Sequence, residues 1–161
     1  MGELLAWLEA SALGQAVRGA GVWSYATINL VHVLGLATLF GSVLMLDLKL
    51  LGLFPRTPLP VLSVPTVRMA MIGFLVAATS GICLLATNAT EYAGNPFLVI
   101  KFAAIAVALS NVALLHRSAA WRLRGEGTPS PAQRQRLAIG GAVSLTAWAT
   151  ALTAGRMLGY W

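Results

Sequence analysis

Long apolar runs, separated by short polar segments, dominate the chain. A bilayer core of roughly 30 Å is crossed by about 20 apolar residues in a helix, and four stretches reach that length: about 22–54, 67–87, 97–120 and 137–161. The breaks carry turn chemistry, since PRTPLPVLSVP holds four prolines, TNATEYAGNP is polar with Gly94 and Pro96, and RGEGTPSPAQRQR is polar and charged. The opening segment has a different period. Leu5, Leu8, Ala12 and Ala16 recur every three to four residues, with Glu9 and Gln15 off that face, which predicts an amphipathic helix over about 3–18 lying along the interface with Trp7 as its anchor. It lacks a basic leading region, and Glu3 and Glu9 interrupt its apolar stretch, so cleavage as an export signal is not expected. The pattern predicts an all-α integral membrane four-helix bundle, a single membrane domain over 1–161 with an interfacial helix in front.

Composition agrees with the pattern: 58% of residues are hydrophobic and 10% charged, against about 25% charged in a soluble domain. A net charge of +6 does not point to nucleic acid, because the basic residues flank apolar runs instead of covering a solvated face. Their distribution sets topology. Lys49, Arg56, Arg68, Arg117, Arg122, Arg124, Arg134 and Arg136 fall on one side and Arg18, Lys101 and Arg156 on the other, eight against three. This bias predicts a cytoplasmic first and third connection and both termini outside. Trp23 and Tyr25, with Tyr160 and Trp161, would form the outer aromatic belt. One cysteine, Cys83, excludes an internal disulfide and a cysteine-based zinc site. Gly73, Ala77 and Gly81 in the second span, and Ala147, Ala151 and Gly155 in the fourth, read as packing seams.

Polar residues inside the spans are the candidates for function. His32 follows Trp23 by nine residues, which puts it on the order of 13 Å below the outer surface at 1.5 Å per residue. Tyr25 and Asn29 extend the same face. Lys101 and Arg156 enter from that side, and Thr146, Thr150 and Thr153 form a stripe toward Arg156. Together Tyr25, Asn29, His32, Lys101, Thr153 and Arg156 suggest an outward-facing polar pocket, with a neutral His32 bonded to a threonine or carbonyl as the alternative. Asp47, Lys49 and Arg68 lie near the cytoplasmic end and read as an ion-pair network fixing the first connection, with Lys49 snorkelling. His116, beside Arg117, is a secondary candidate near the same boundary.

These residues fall in recognisable strings. HVLGLATLFGSVLMLDLKLLG, YAGNPFLVIK and WATALTAGRMLGYW resemble a family of small four-span bacterial inner-membrane proteins described only as a domain of unknown function. Its pattern of His-Leu-Leu-Gly, Asp-Leu-Arg-Leu-Leu-Gly, Asn-Pro before a lysine, and Ala-Gly-Arg matches at His32, Asp47, Lys101 and Arg156. The resemblance covers nearly the whole chain and implies a bacterial inner-membrane location, without an activity. Lys49 stands where the family has arginine, which keeps the charge and loses the planar fork.

Two functions fit the residues. A membrane subunit or small transporter would bind an anion, a quinone or a metal in the outer pocket, with metal disfavoured by the two cations. A haem b electron-transfer protein would use His32 as an axial iron ligand and the cations for the propionates. His32 and His116 differ in depth by on the order of 20 Å, so a second ligand would come from elsewhere, for instance from His32 of a homodimer mate. A structural anchor for a membrane or periplasmic partner subunit is the remaining alternative. Ser42 and Asp47 lie well below His32, so no nucleophile, base and orienter converge, and independent catalysis is not expected.

Overall fold

The structure, a computed structural model, describes residues 2–125 and 129–160. The chain is all helical among them. Four long helices have the length and apolar character to cross a membrane: α3 (Val22–Leu50), α4 (Leu59–Thr87), α5 (Pro96–Arg117) and α7 (Pro131–Met157). Two short helices, α1 (Gly2–Ala10) and α2 (Ala12–Gly19), precede them, and α6 (Ala119–Arg122) follows α5. The protein is therefore a multi-pass membrane protein with apolar faces suited to lipid.

Helix ends differ from the sequence expectation for local reasons. The helix expected from residue 67 begins at Leu59, with Pro60 in its first turn and Pro65 inside it. A proline inside a helix leaves a carbonyl without its N–H. Hydroxyls bond to carbonyls beside it: Thr66 Oγ1 donates to Leu62 O at 2.7 Å, and Ser63 Oγ lies 3.5 Å from Pro60 O. The last span starts at Pro131, six residues before the expected 137, because Ser130 and Gln133 form a capping box with Pro131 at the first position. Helix α3 stops short of residue 54, as Gly52 turns left-handed (φ 105°) and Leu53 N bonds to Leu48 O at 3.0 Å.

By contacts the chain divides into two compact units, Met1–Leu39 with Met71–Pro96, and Phe40–Ala70 with Phe97–Trp161. In the first, the expected seam on α4 is a close backbone approach. A Cβ on Gly35 would lie 2.7 Å from Ala77 N, and one on Gly73 would strike the backbone at Leu39. Without a hydrophobic drive between helices in lipid, such close approach supplies the attraction through packing.

The N-terminal segment is two helices, not one. Ser11 breaks it and caps α2, its Oγ accepting from Gly14 N at 3.2 Å. The buried residues are Leu5, Gly14 and Val17, while Ala12 and Ala16, expected on the apolar face, are exposed with Leu4 and Trp7. Gly14 is what lets α2 meet the end of α4, since a Cβ there would lie 2.7 Å from Ala86 O. Arg18 then caps α4, donating to Thr87 O at 2.9 Å and Ala86 O at 3.4 Å, and also to Glu9 O at 2.8 Å. These carbonyls end a helix and have no intrahelical donor. Glu9 Oε2 accepts from Thr90 N and Thr90 Oγ1, both at 2.7 Å.

In the second unit Leu50, Ala120, Trp121 and Leu137 form a buried cluster backed by Leu46, Leu59, Val67 and Leu115. Gly140 admits Leu115, and Asn111 Nδ2 donates to Gly140 O at 2.9 Å. Ala147 and Ala151, the predicted seam on α7, are buried.

Two predictions arise here. Gly35→Ala should lower the melting temperature in detergent by several degrees, because backbone cannot yield at 2.7 Å, whereas Gly41→Ala on the same helix, with nothing within 4 Å, should be neutral or slightly stabilising. Equal melting of the two variants contradicts the seam. The Thr90 hydrogen bonds hold the Glu9 carboxyl below its ordinary range, with Arg18 adding to them and desolvation opposing. A carboxylate with a lowered folded pKa stabilises fully above its unfolded value and loses that contribution as pH falls through the folded one. Protection of the Thr90 amide against exchange should therefore drop below the ordinary carboxylate range, and Glu9→Gln should flatten that dependence.

Candidate functional site

Spacing along α3 decides what faces α4. His32, Gly35 and Leu39 recur at three and four residues, so one stripe carries the imidazole and the two positions of close approach. On α4 the answering residues are Gly81, Ala77 and Gly73. A Cβ on Gly81 would lie 2.9 Å from His32 Cε1, so the imidazole rests in space that only glycine leaves open. Beside it His32 Nδ1 meets Ser80 Oγ at 3.1 Å, and Ser80 Oγ lies 2.5 Å from Val76 O. The serine proton belongs to that carbonyl. Facing a serine whose proton is committed in this way, Nδ1 carries the hydrogen of the contact, which fixes the orientation of the ring. Ser80 is thus a partner of the imidazole on the neighbouring helix.

The other first-unit candidates lie closer to the helix start. Asn29 is exposed, and Tyr25, 44% exposed, lines a cleft of about 340 Å³ with Arg18, Thr87, Asn88 and Tyr92. The end of α2, at Val17 and Arg18, thus forms a wall of that cleft. Burial pushes the Tyr92 phenol up, and the neighbouring Tyr25 and Glu91 add to the shift.

Lys101, Thr153 and Arg156 lie in the second unit. The Lys101 side chain runs over Gly155, with Cδ, Cε and Nζ 3.7, 3.7 and 3.8 Å from where a Cβ would stand. No hydrogen-bond acceptor meets its ammonium among the described residues. Arg156, next in sequence to Gly155, bonds to the Tyr160 hydroxyl and stacks on that ring at 4.7 Å. Thr153 is exposed and lines a groove of about 490 Å³ with Thr146, Thr150 and Phe97. The hydroxyls of Thr146 and Thr150 are returned to their own helix, at Ala142 O and Thr146 O.

Asp47 is 3% exposed, and its backbone packs against Gly141, where a Cβ would lie 3.1 Å from Asp47 O. The Ser144 hydroxyl reaches its carboxyl, while Oδ2 has no partner among the described residues. Lys49 Nζ donates to Phe54 O at 2.7 Å, and Arg68 is exposed. The expected ion pairs of Asp47 and Lys49 with their neighbours are absent among the described residues. A serine and a loop carbonyl meet them instead. His116 Nδ1 donates to Val112 O at 2.9 Å and its ring lies 4.5 Å from that of Trp121, a boundary packing role. Sequence reasoning missed Ser80 and Ser144, because a serine in an apolar run gives no period of its own.

No family model, curated protein or solved structure matches this chain.

The Gly81 contact makes a sharp prediction. Gly81→Ala should displace the imidazole and shift the His32 ring resonances in NMR spectra, while Gly41→Ala leaves them in place. Unaltered His32 signals in Gly81→Ala contradict the packing.

Proposed function

We propose that the protein is a small four-span protein of the bacterial inner membrane, of the kind its motifs resemble, with both termini in the periplasm. It binds an anion or quinone head group through Lys101 and Arg156, as a membrane subunit or small transporter. The observation that carries this reading is the Lys101 ammonium, which sits in a membrane-spanning helix with no acceptor among the described residues. A cation at such a position costs several kcal/mol unless an anionic group or water meets it. Arg156 stands one residue from the glycine on which Lys101 lies, so a bound anion could draw on both. A quinone carbonyl would accept from the same donors. The charge bias, eight basic residues against three, supports the orientation.

A second reading is favoured by the contact of His32 Nδ1 with Ser80 Oγ at 3.1 Å, since an imidazole that ligates haem b iron is oriented by a hydrogen bond at its other ring nitrogen. The two readings separate by colour. Protein purified in detergent from haem-replete cells should be colourless if only the anion reading holds. A Soret band that disappears in His32→Ala would establish haem. For the anion reading, Lys101→Ala and Arg156→Ala should each weaken binding of a short-chain benzoquinone or inorganic phosphate by about tenfold, the loss of one charge-assisted hydrogen bond. Unchanged affinity in both variants refutes the assignment.

A further inference from the structure

The arginine-rich membrane boundary holds a separate cleft, built within the second unit. It encloses about 760 Å³ between the end of α3, the start of α4 and the start of α7, and Lys49, Arg124 and Arg134 line it. Ligand sites fall in about 300–1,000 Å³. Its described lining contains no carboxylate. None of these residues belongs to the Lys101 and Arg156 group.

Two of the three cations are fixed. Arg124 Nε donates to Ser63 Oγ at 3.1 Å and Nη1 to Trp121 O at 2.8 Å, and the guanidinium lies 4.4 Å from the Trp121 ring centroid. Its Nη2 has no acceptor among the described residues. Trp121 is 4% exposed, so the arginine is stacked on a rigid wall. Lys49 uses one of its three protons on Phe54 O, which leaves two. Arg134 projects from the first turns of α7, exposed and with no partner among the described residues. Three donors of positive charge, two of them held in place, are suited to an anion with several acceptor oxygens.

The rest of the lining narrows the ligand. Leu50, Leu59 and Leu137 give the cleft an apolar wall beside the cations. A freely dissolved anion gains nothing from such a wall, whereas a lipid places a charged phosphate against the start of its acyl chains. Basic clefts between helices at the membrane boundary are recognised sites for anionic head groups. We propose that this cleft binds a phosphate group, carried by an anionic phospholipid of the surrounding leaflet.

The test uses the full chain in neutral detergent, with native mass spectrometry counting bound molecules during titration of phosphatidylglycerol, phosphatidylcholine or inorganic phosphate. A one-to-one phosphatidylglycerol adduct is expected, stronger than that of phosphatidylcholine. It should weaken by about tenfold in Lys49→Gln/Arg134→Gln, as expected for lost charge-assisted hydrogen bonds, and persist in Arg136→Gln, an exposed residue outside the lining. If the double variant loses its helical circular dichroism, Arg134→Glu alone should show the same loss, since that side chain supports no internal contact. Inorganic phosphate that binds and displaces phosphatidylglycerol, with equal loss in the variants, keeps the phosphate site and assigns its source to the free anion. Equal retention of the two lipids without phosphate binding, or variants that bind as the parent does, overturns the proposal.

Discussion

A polar side chain in a membrane-spanning helix keeps its place only if the protein supplies both a partner and room, because hydrocarbon supplies neither. The room comes from glycine. His32 lies on Gly81 and the backbone of Asp47 meets Gly141, while Lys101 passes Gly155 at ordinary van der Waals distance. In each pair the glycine sits on a different helix from the polar residue. A Cβ at 81 would occupy the imidazole's space, and one at 141 would force two backbones apart. The contacts at 81 and 141 tie small residues to polar ones: the glycine leaves space that the polar side chain or its backbone occupies.

Partners are less evenly supplied. His32 has Ser80, and Asp47 has Ser144 on one oxygen. Both serines are adjacent to or near the accommodating glycine, Ser80 directly before Gly81 and Ser144 three residues after Gly141. Lys101 has the glycine and no serine. That asymmetry makes the lysine the group whose ionic partner is most plainly missing from the described protein, and it is why the proposed ligand is an anion. The N-terminal helices follow the same rule at the membrane edge. Gly14 gives the room, and Arg18 satisfies the carbonyls that end α4. Trp7, on the short helix before them, is 70% exposed.

The fold was legible because it rests on length and hydropathy, which are additive along the chain. Four apolar runs of sufficient length leave few alternatives once each backbone group must bond within its own helix. The packing seam on α4 was legible for a related reason, since Gly73, Ala77 and Gly81 repeat at the helical period. Helix ends were not, at Pro65 and at Pro131, because a proline reads as a break until one asks which hydroxyls sit beside it or whether it occupies the first turn. The SPAQ string holds the Ser130 capping box, yet serine and proline together punctuate loops just as well. The partners of polar residues were least legible. Asp47 was expected beside arginine on charge alone, but Ser144 lies across from it, and nothing periodic marks a single hydroxyl.

Charge at the boundary obeys two demands that can conflict. Arg134 closes the first turn of α7, where the helix dipole is positive and a cation is mildly unfavourable, and Arg136 follows in the second turn. Helix stability alone would place acids there, and no acidic residue stands in that first turn. The positive-inside bias gives one reason to accept the cost. A phosphate bound between Lys49, Arg124 and Arg134 gives another, since it would satisfy the dipole and the arginine at once, as anions do at helix N-termini. The same side chain could then set the orientation of the chain during insertion and hold a head group afterward, which makes the unfavourable placement of Arg134 a consequence of where lipid phosphates lie.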